Sequence, residues 1–376
     1  MVITDERWYS EIADAIRVLE AGSSSYSPSQ MAGAILGIGA STNLTAIADS
    51  LAERSVLSYS YMVGNAASMI VPSAFVGFGD ILVARYPRVA TVGSFAFDGC
   101  AKLANVALPR CSEIGQCAFR SCASLSAAEV PRCETIGSSA FLGCLALRSV
   151  SMPLCRSVYT SAFYDCRSLS YVSMPLVTEV WTYAFARCTS LASVALPNCT
   201  LAHEGIFSSC VGLRRVDMPA CTHVASAVFN GCTSLESVSL PVCASIGTSA
   251  FRQCAALSSV NLPACSLVGA YGFAGCSRLG VAVLPSCTSL VAGAFSDCTR
   301  LLSVLFPTVS RVPTLQNSNA FMRTPIAGHV SDTDRLGSVY VPRSLYSDFL
   351  VASNWSLISE RIVSMTSREM YDMLGA

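Results

Sequence analysis

Large apolar residues recur at a fixed interval of 22 positions along most of the chain. The most regular column is phenylalanine, which occupies positions Phe97, Phe119, Phe141, Phe163, Phe185, Phe207, Phe229, Phe251, Phe273 and Phe295. A cysteine follows each Phe by three residues, a leucine follows that cysteine by three, and a proline follows the leucine by six. A period this strict predicts one structural coil stacked on the next, with like side chains aligned in internal columns.

Within each repeat, the segment between leucine and proline alternates like a short β-strand. Val238 falls on one face, and Ser237 and Ser239 fall on the other. Proline ends the strand because it lacks the N–H that a sheet ladder needs. A second apolar position, Ile246, is followed by Gly247, which predicts a tight bend before the next Phe. Each coil is too small to bury its own apolar face, so the coils must stack into a solenoid.

Read as one unit, the repeat is L-x-S-V-x-L-P-x-C-x-x-I-G-x-x-A-F-x-x-C-x-x. It resembles the BspA-like class of leucine-rich repeats, whose signature has Leu, Pro, Ile-Gly, Ala-Phe and Cys in the same register. The resemblance covers residues 70–312 and implies an α/β solenoid of about ten 22-residue coils. Departures are local, with Ala128 and Ala282 in the valine column and Ile206 and Val228 before phenylalanine.

Residues 1–69 precede this array, and we predict a helical segment there. Trp8, Ile12, Ile16 and Leu19 recur at helical spacing, and a Gly/Ser stretch follows them. The stretches Y-S-E-I-A-D-A-I-R and Y-S-P-S-Q-M-A resemble the N-terminal segment of phage and prophage tail-associated proteins. That resemblance implies attachment to a particle, or oligomerisation, through this helix. The alternative is a cap over the first coil, and the two roles are compatible.

The period breaks at the C-terminal end, where Phe321 follows Phe295 by 26 residues. Residues 313–376 resemble the closing segment of BspA-like arrays, which implies a cap made of a final strand and helix. An uncovered end would expose unpaired backbone and apolar surface. The side chains expected to shield it are Leu345, Phe349, Trp355, Ile358 and Ile362.

Composition and charge exclude several classes of protein. Of the 376 residues, 52% are apolar and 13% are charged, and the formal net charge is zero. The chain is too apolar for disorder, and it has no apolar run long enough for a membrane helix. A chain with zero net charge and no run of basic residues is not expected to bind nucleic acid. The first residues lack the basic and apolar regions of a secretory signal peptide, so we expect none.

Nineteen cysteines add two further columns to the repeat. Ten follow the phenylalanines, eight follow a proline by two residues, and only Cys117 lies outside both columns. Side chains that point in parallel from stacked coils have poor geometry for disulfides. No C-x-x-C spacing indicates a metal site. We therefore expect buried free thiols that act as small apolar side chains.

Sequence motifs of catalysis are missing. No G-x-S-x-G, H-E-x-x-H or G-x-x-x-x-G-K occurs, and His203, His223 and His329 are scattered. We expect a non-enzymatic protein with no cofactor and no metal. Solenoids more often bind partners through their repeated surfaces.

The position after the Ile/Val column is glycine in five coils but Tyr159, Trp181 and His203 in three consecutive ones. Equivalent positions on stacked coils lie about 5 Å apart, so we expect these rings to stack. Tyr183 and Tyr171 belong to the same coils. Such a cluster is a candidate surface for a sugar ring or an apolar partner. Packing against a subunit and filling of a local bend are the alternatives.

The outward positions of the predicted strands are mostly Ser and Ala, and charge gathers at Arg214, Arg215, Asp217 and Glu236. Arg214 and Arg215 join the candidate receptor-binding residues, although a solvated face explains the same pattern. So sparsely charged a surface favours self-association, and we expect a homo-oligomer.

Taken with the N-terminal resemblance, these features favour a phage or prophage tail fibre or receptor-binding protein. It would bind a bacterial surface protein or glycan, contact phage structural proteins and reside in the virion. The alternative is an adhesin or host-interaction protein at the bacterial cell surface, as the repeat resemblance implies. A decoration protein without a ligand is a third interpretation.

Overall fold

The computed structural model describes residues 61–63, 67–329 and 335–373. They form a parallel β-solenoid of about 13 turns with 22-residue spacing. Each coil contributes one strand of two residues and one strand of three. Strands of the same kind pair in parallel with a 22-residue offset, as Val106 does with Ala128. This in-register stacking confirms the arrangement that the phenylalanine column predicts.

The two-residue strands build one continuous twelve-stranded sheet. In order along the rod they are β2 (Met69–Ile70), β4 (Thr91–Val92), β6 (Glu113–Ile114), β8 (Thr135–Ile136), β10 (Ser157–Val158), β12 (Glu179–Val180), β14 (Leu201–Ala202), β16 (His223–Val224), β18 (Ser245–Ile246), β20 (Leu267–Val268), β22 (Ser289–Leu290) and β24 (Thr314–Leu315).

The three-residue strands form a second row, divided into four shorter sheets. They are β1 (Tyr61–Val63), β3 (Val83–Arg85), β5 (Asn105–Ala107) and β7 (Ala127–Glu129); β9 (Ser149–Ser151) and β11 (Tyr171–Ser173); β13 (Ser193–Ala195), β15 (Arg215–Asp217) and β17 (Ser237–Ser239); and β19 (Ser259–Asn261), β21 (Val281–Val283) and β23 (Ser303–Leu305). The last sheet continues into β25 (Ser338–Pro342) and β26 (Ile362–Met365) at the C-terminal end.

The phenylalanine column lies at the centre of the core. Its ten rings are all buried. Neighbouring rings are stacked, as between Phe141 and Phe163, whose centroids are 5.1 Å apart and whose planes differ by 3°. The spacing widens to 5.7 Å on both sides of Phe207, beside the bulkier Ile206 and Val228. Stacked apolar columns of this length supply the burial that no single coil has.

All nineteen cysteines are buried and free. Burial raises the pKa of Cys111 to about 11 and that of Cys155 and Cys199 to about 12. Thiols with so high a pKa stay protonated at neutral pH and contribute apolar volume. The structure therefore agrees with the expectation of buried free thiols.

The α/β description of the repeat is not confirmed, because between residues 67 and 315 the described chain forms strands and turns only. Each regular coil bends through two left-handed positions, exemplified by Ser161 at φ 56° and Asp165 at φ 62°. These bends keep the chain from continuing into a helix.

Helices in the described part of the chain are confined to the C-terminal end. They are α1 (Tyr346–Val351), α2 (Ser367–Met373) and the 3₁₀ segments Ser318–Phe321, Pro325–Ala327, Arg343–Leu345 and Ser356–Arg361. Phe321 stacks under Phe295, and Trp355 lies against Phe321 and Phe349. The buried Trp355 donates its Nε1–H to the carbonyl oxygen of Pro313 at 2.7 Å. Among the described helices, none has the length and apolar character to cross a membrane.

The predicted helical segment in 1–69 lies almost wholly outside the described residues. The predicted attachment residues Trp8, Ile12, Ile16 and Leu19 also lie outside the described residues. Their roles stay predictions.

Candidate binding surface

The aromatic cluster begins at the corner that follows each two-residue strand. In five coils this corner holds glycine, and there the neighbouring coils meet backbone to backbone. A Cβ on Gly137 would lie 2.6 Å from the carbonyl carbon of Gly115. Tyr159, Trp181 and His203 follow β10, β12 and β14 at this same corner. In these three coils the corner therefore carries an aromatic side chain in place of the glycine that allows close backbone contact.

These three rings form one continuous stack, which we call the corner ladder. The Tyr159 and Trp181 centroids are 5.9 Å apart with planes 19° from parallel. The Trp181 and His203 centroids are 4.7 Å apart with planes 8° from parallel. The stacking predicted from the repeat is present, and each coil contributes one ring to it.

The stack decides which parts of the rings a ligand can reach. The two faces of Trp181 are covered by its neighbours, so Trp181 offers its edge. Tyr159 and His203 each have one face turned away from Trp181, toward coils with Gly137 and Ala225 at the corner. Tyr159 is 39% exposed. The corner ladder therefore offers two end faces and a row of ring edges.

Tyr183, two residues beyond Trp181, extends this surface. Its hydroxyl donates a hydrogen bond to Oε1 of Glu204 at 3.0 Å, and that bond raises the pKa of Tyr183. Its ring lies against Gly205 of the next coil, where a Cβ would overlap Cε1 of the ring. Both contacts join Tyr183 to the coil that contributes His203 to the corner ladder.

Tyr171, Arg214 and Arg215 belong to a different surface. Tyr171 begins β11 and Arg215 begins β15, so both lie in the row of three-residue strands, and Tyr171 is 56% exposed. The prediction of one cluster containing Tyr171 and Trp181 is wrong in this respect. The cause is the path of the coil, which places the start of a three-residue strand and the corner after a two-residue strand on separate parts of the surface.

We call the outward positions of β11, β13, β15 and β17 the strand face. Small side chains leave a shallow depression there, between Ser193 and Ser237 and over Val194, Val216 and Val238. Arg215 and Asp217 project from β15, which lies between β13 and β17. Arg214 lies at its margin and forms an exposed ion pair with Glu236 at 2.9 Å.

Metal-ligating side chains do not cluster in the described parts of the chain, where no group of three or more His, Cys, Asp or Glu residues is placed to hold an ion. The cysteine columns are buried in apolar surroundings, and burial raises the pKa of thiols such as Cys155 and Cys199. A thiol binds metal as the thiolate, which these surroundings disfavour.

The repeat region of this chain matches a known family of repeat proteins. Residues 68–192, 156–280 and 222–329 match the family described as "BspA type Leucine rich repeat region (6 copies)". Together these ranges span more than half of the chain. The chain belongs to the BspA type leucine-rich repeat family. Both the corner ladder and the strand face lie inside the matched BspA type region.

Solved structures with the same repeat architecture include a leucine rich cell surface protein from Faecalibacterium prausnitzii A2-165. It is 22% identical, over 80% of this chain and 90% of that one, with a TM-score of 0.43. The pneumococcal vaccine antigen PcpA is 14% identical over 81% and 83%, with a TM-score of 0.37. An internalin (inlF) from Listeria monocytogenes is 10% identical over 84% and 94%, with a TM-score of 0.32. No curated protein is matched by the sequence.

One residue of interest in the BspA type region escaped the sequence analysis. Tyr271 occupies the position equivalent to Tyr183, four coils further on, and it is 42% exposed. Its sequence signal is a tyrosine followed 22 residues later by glycine, which Tyr183 and Gly205 share with Tyr271 and Gly293.

Proposed function

We propose that this chain is a non-enzymatic binding protein whose corner ladder recognises a neutral glycan at a bacterial surface. The observation that carries the proposal is the ring stack of Tyr159, Trp181 and His203, built at a corner that holds glycine in five other coils. Aromatic rings at a surface combine a large apolar area with polar atoms at their edges. Rigid aromatic anchors of this kind dominate the binding energy of recognition sites.

A glycan suits this surface better than a charged partner does. A pyranose ring offers an apolar C–H face, which matches the end face of Tyr159, and hydroxyl groups, which match polar atoms at the ring edges. The Glu204 carboxylate beside the ladder already accepts a hydrogen bond from Tyr183. The ligand chemistry that remains is apolar stacking with neutral hydrogen bonds.

We place this binding at the bacterial cell surface, as an adhesin or host-interaction protein. Membership of the BspA type family supports that setting. The names of the similar structures, a cell surface protein, an internalin and a vaccine antigen, agree with it.

Attachment to a phage tail is the second setting. It rests on the motif around Trp8 and Ile12, which lies outside the described residues. Neighbouring genes distinguish the two settings: tail and lysis genes accompany a virion protein, whereas secretion or anchoring genes accompany a surface adhesin.

Substitution of the ladder tests the glycan proposal. Trp181→Ala and Tyr159→Ala are each expected to weaken binding to an array of bacterial surface glycans by about 30-fold, the effect of losing an aromatic hot spot. Tyr371→Ala is the matched control, because Tyr371 is 37% exposed on α2, far along the chain from the ladder.

Circular dichroism and thermal melting establish that each variant is folded. Folded ladder variants with control-level glycan binding would overturn the proposal. Loss of binding to bacterial surface proteins, with glycan binding unchanged, would identify the partner as a protein.

Self-association is part of the proposal. A surface with exposed Tyr171, Val242 and Leu154 and few charges favours packing against a second copy. Light scattering at micromolar concentration is expected to give a mass above that of one chain, and a clean monomer contradicts this part.

A further inference from the structure

We infer that Tyr271 is a second glycan-stacking site, which holds the same polysaccharide chain that the corner ladder and Tyr183 bind four coils away. This inference rests on the proposed function, because it assigns the ligand class and a further contact point. Neither a sequence motif nor membership of the BspA type family assigns Tyr271 a role.

The backbone at Tyr271 is the first observation. Tyr271 and Tyr183 are left-handed, with φ 56° and 55°. This conformation belongs to the turn of every regular coil, and Phe95 adopts it at the equivalent position with φ 60°. Ala227 and Ser249 adopt the same conformation at equivalent positions. The turn itself therefore needs no tyrosine.

The contact of each tyrosine ring with a glycine of the next coil is the second observation. A Cβ added to Gly293 would lie 2.6 Å from Cδ1 and Cε1 of Tyr271, so one edge of the ring packs against the next coil at this glycine. Gly205 receives the Tyr183 ring in the same way. With one ring edge at Gly293 and 42% of the residue exposed, Tyr271 presents the rest of its ring to solvent. A ring held in its binding orientation loses little entropy when a ligand stacks on it.

The spacing is the third observation. Tyr271 follows Tyr183 by four 22-residue coils, and each tyrosine stands between a serine in the preceding coil and a glycine in the next. Equivalent positions on stacked coils point the same way, at about 4.8 Å per coil, so the two rings are about 19 Å apart. Two parallel platforms at that distance fit an extended polymer and cannot both contact a single monosaccharide.

The two platforms differ in one polar group. Glu204 accepts the hydroxyl hydrogen of Tyr183, and its counterpart beside Tyr271 is Ala292. Within the described residues the Tyr271 hydroxyl has no hydrogen-bond partner, so it is available to a sugar hydroxyl. The class of ligand that fits is a linear neutral polysaccharide, bound at one end by the corner ladder with Tyr183 and at the other by Tyr271.

Two attachment points on one polymer produce avidity, because the second contact is intramolecular once the first has formed. A long chain is therefore expected to bind at least 10-fold more tightly than a trisaccharide of the same composition. Removal of either platform removes this advantage.

The test compares full-length wild-type protein with Tyr271→Ala, Tyr271→Phe and Trp181→Ala. The probes are soluble neutral cell-wall polysaccharides of bacteria and trisaccharides prepared from them, and the readout is calorimetry. Tyr271→Ala is expected to lower polymer affinity about 10-fold and to reduce trisaccharide stoichiometry from two to one. Tyr271→Phe keeps the ring and is expected to stay within a few-fold of wild type. Ala227 shows that alanine fits this backbone conformation, and thermal melting confirms folding.

The outcomes separate this inference from the proposed function. If Trp181→Ala weakens polymer binding but Tyr271→Ala binds like the Tyr371→Ala control, the second site is refuted and the first stands. If neither variant changes binding, both are refuted. If Tyr271→Ala lowers affinity for trisaccharide and polymer by the same factor at unchanged stoichiometry, the two-point arrangement is refuted.

Discussion

The thiol of Cys122 donates a hydrogen bond to the carbonyl oxygen of Phe97 in the preceding coil, with 3.1 Å between sulfur and oxygen. The same bond repeats along the column, for example from Cys188 to Phe163 at 3.2 Å and from Cys298 to Phe273 at 3.1 Å. Each of these cysteines thus fills a small apolar space and satisfies a carbonyl that faces the core. The column joins successive coils without a covalent bond.

We expect all nineteen cysteines to be titrated as free thiols by Ellman's reagent in denaturant without reductant. In the native protein, nearly none should react at neutral pH, because burial raises the pKa of thiols such as Cys155 to about 12 and keeps reagent away. A reduced sample supplies the reference count. Mass spectrometry that found many inter-coil disulfides in the unreduced protein would contradict this prediction.

Stability is expected to fall in alkaline solution. A buried thiol whose pKa is raised resists ionisation only in the folded state, so its contribution is complete below the ordinary value of 9.0 and decreases as pH rises toward about 12. The melting temperature with reductant present should therefore decline as pH rises from about 9 toward about 11.

Valine offers a control for that pH dependence. Val177 already occupies the proline-following column and is fully buried there, between Cys155 and Cys199. The double variant Cys155→Val/Cys199→Val removes two of the titrating groups and should show a shallower decline. A melting temperature that does not depend on pH in wild type would rule out the linkage.

Gly137→Ala is expected to destabilise the solenoid by about 1–3 kcal/mol, as overpacking does. The added Cβ would lie 2.6 Å from the backbone of Gly115, so one of the two coils must shift to make room for it. Gly79→Ala is the matched control, because a Cβ there meets no atom within 4 Å. The free energy of unfolding is measured by urea denaturation. Equal stability of the two variants would show that the coils separate easily at this corner.

Trp355→Ala is expected to cost about 3–5 kcal/mol, the usual effect of emptying a large buried aromatic site. The substitution removes a contact with Phe349 and leaves the carbonyl of Pro313 without its indole donor. Leu357→Ala, at a residue that is 69% exposed, should change stability little. Hydrogen exchange should show the loss of protection beginning in β25 and β26. Uniform loss along the whole rod would indicate that the C-terminal turns do not act as a separate unit.

The sequence by itself determined the stacking of the coils, the contents of each internal column and the order of rings in the corner ladder. The reason is that a 22-residue period makes positions equivalent, and equivalent positions in a solenoid must be neighbours. It also sufficed to place Trp355 and Phe349 among the residues that close the C-terminal end.

Only the tertiary structure decided which outward residues share a surface and which ring faces are free. Trp181 and Tyr171 are ten residues apart in one stretch of chain, yet they lie on different parts of the rod, and the Tyr271 ring meets Gly293 only because the coils stack. Periodicity fixes which coil follows which. The direction of each side chain depends on the left-handed turns within a coil, and their dihedral angles are set by the packing of every coil on its neighbours.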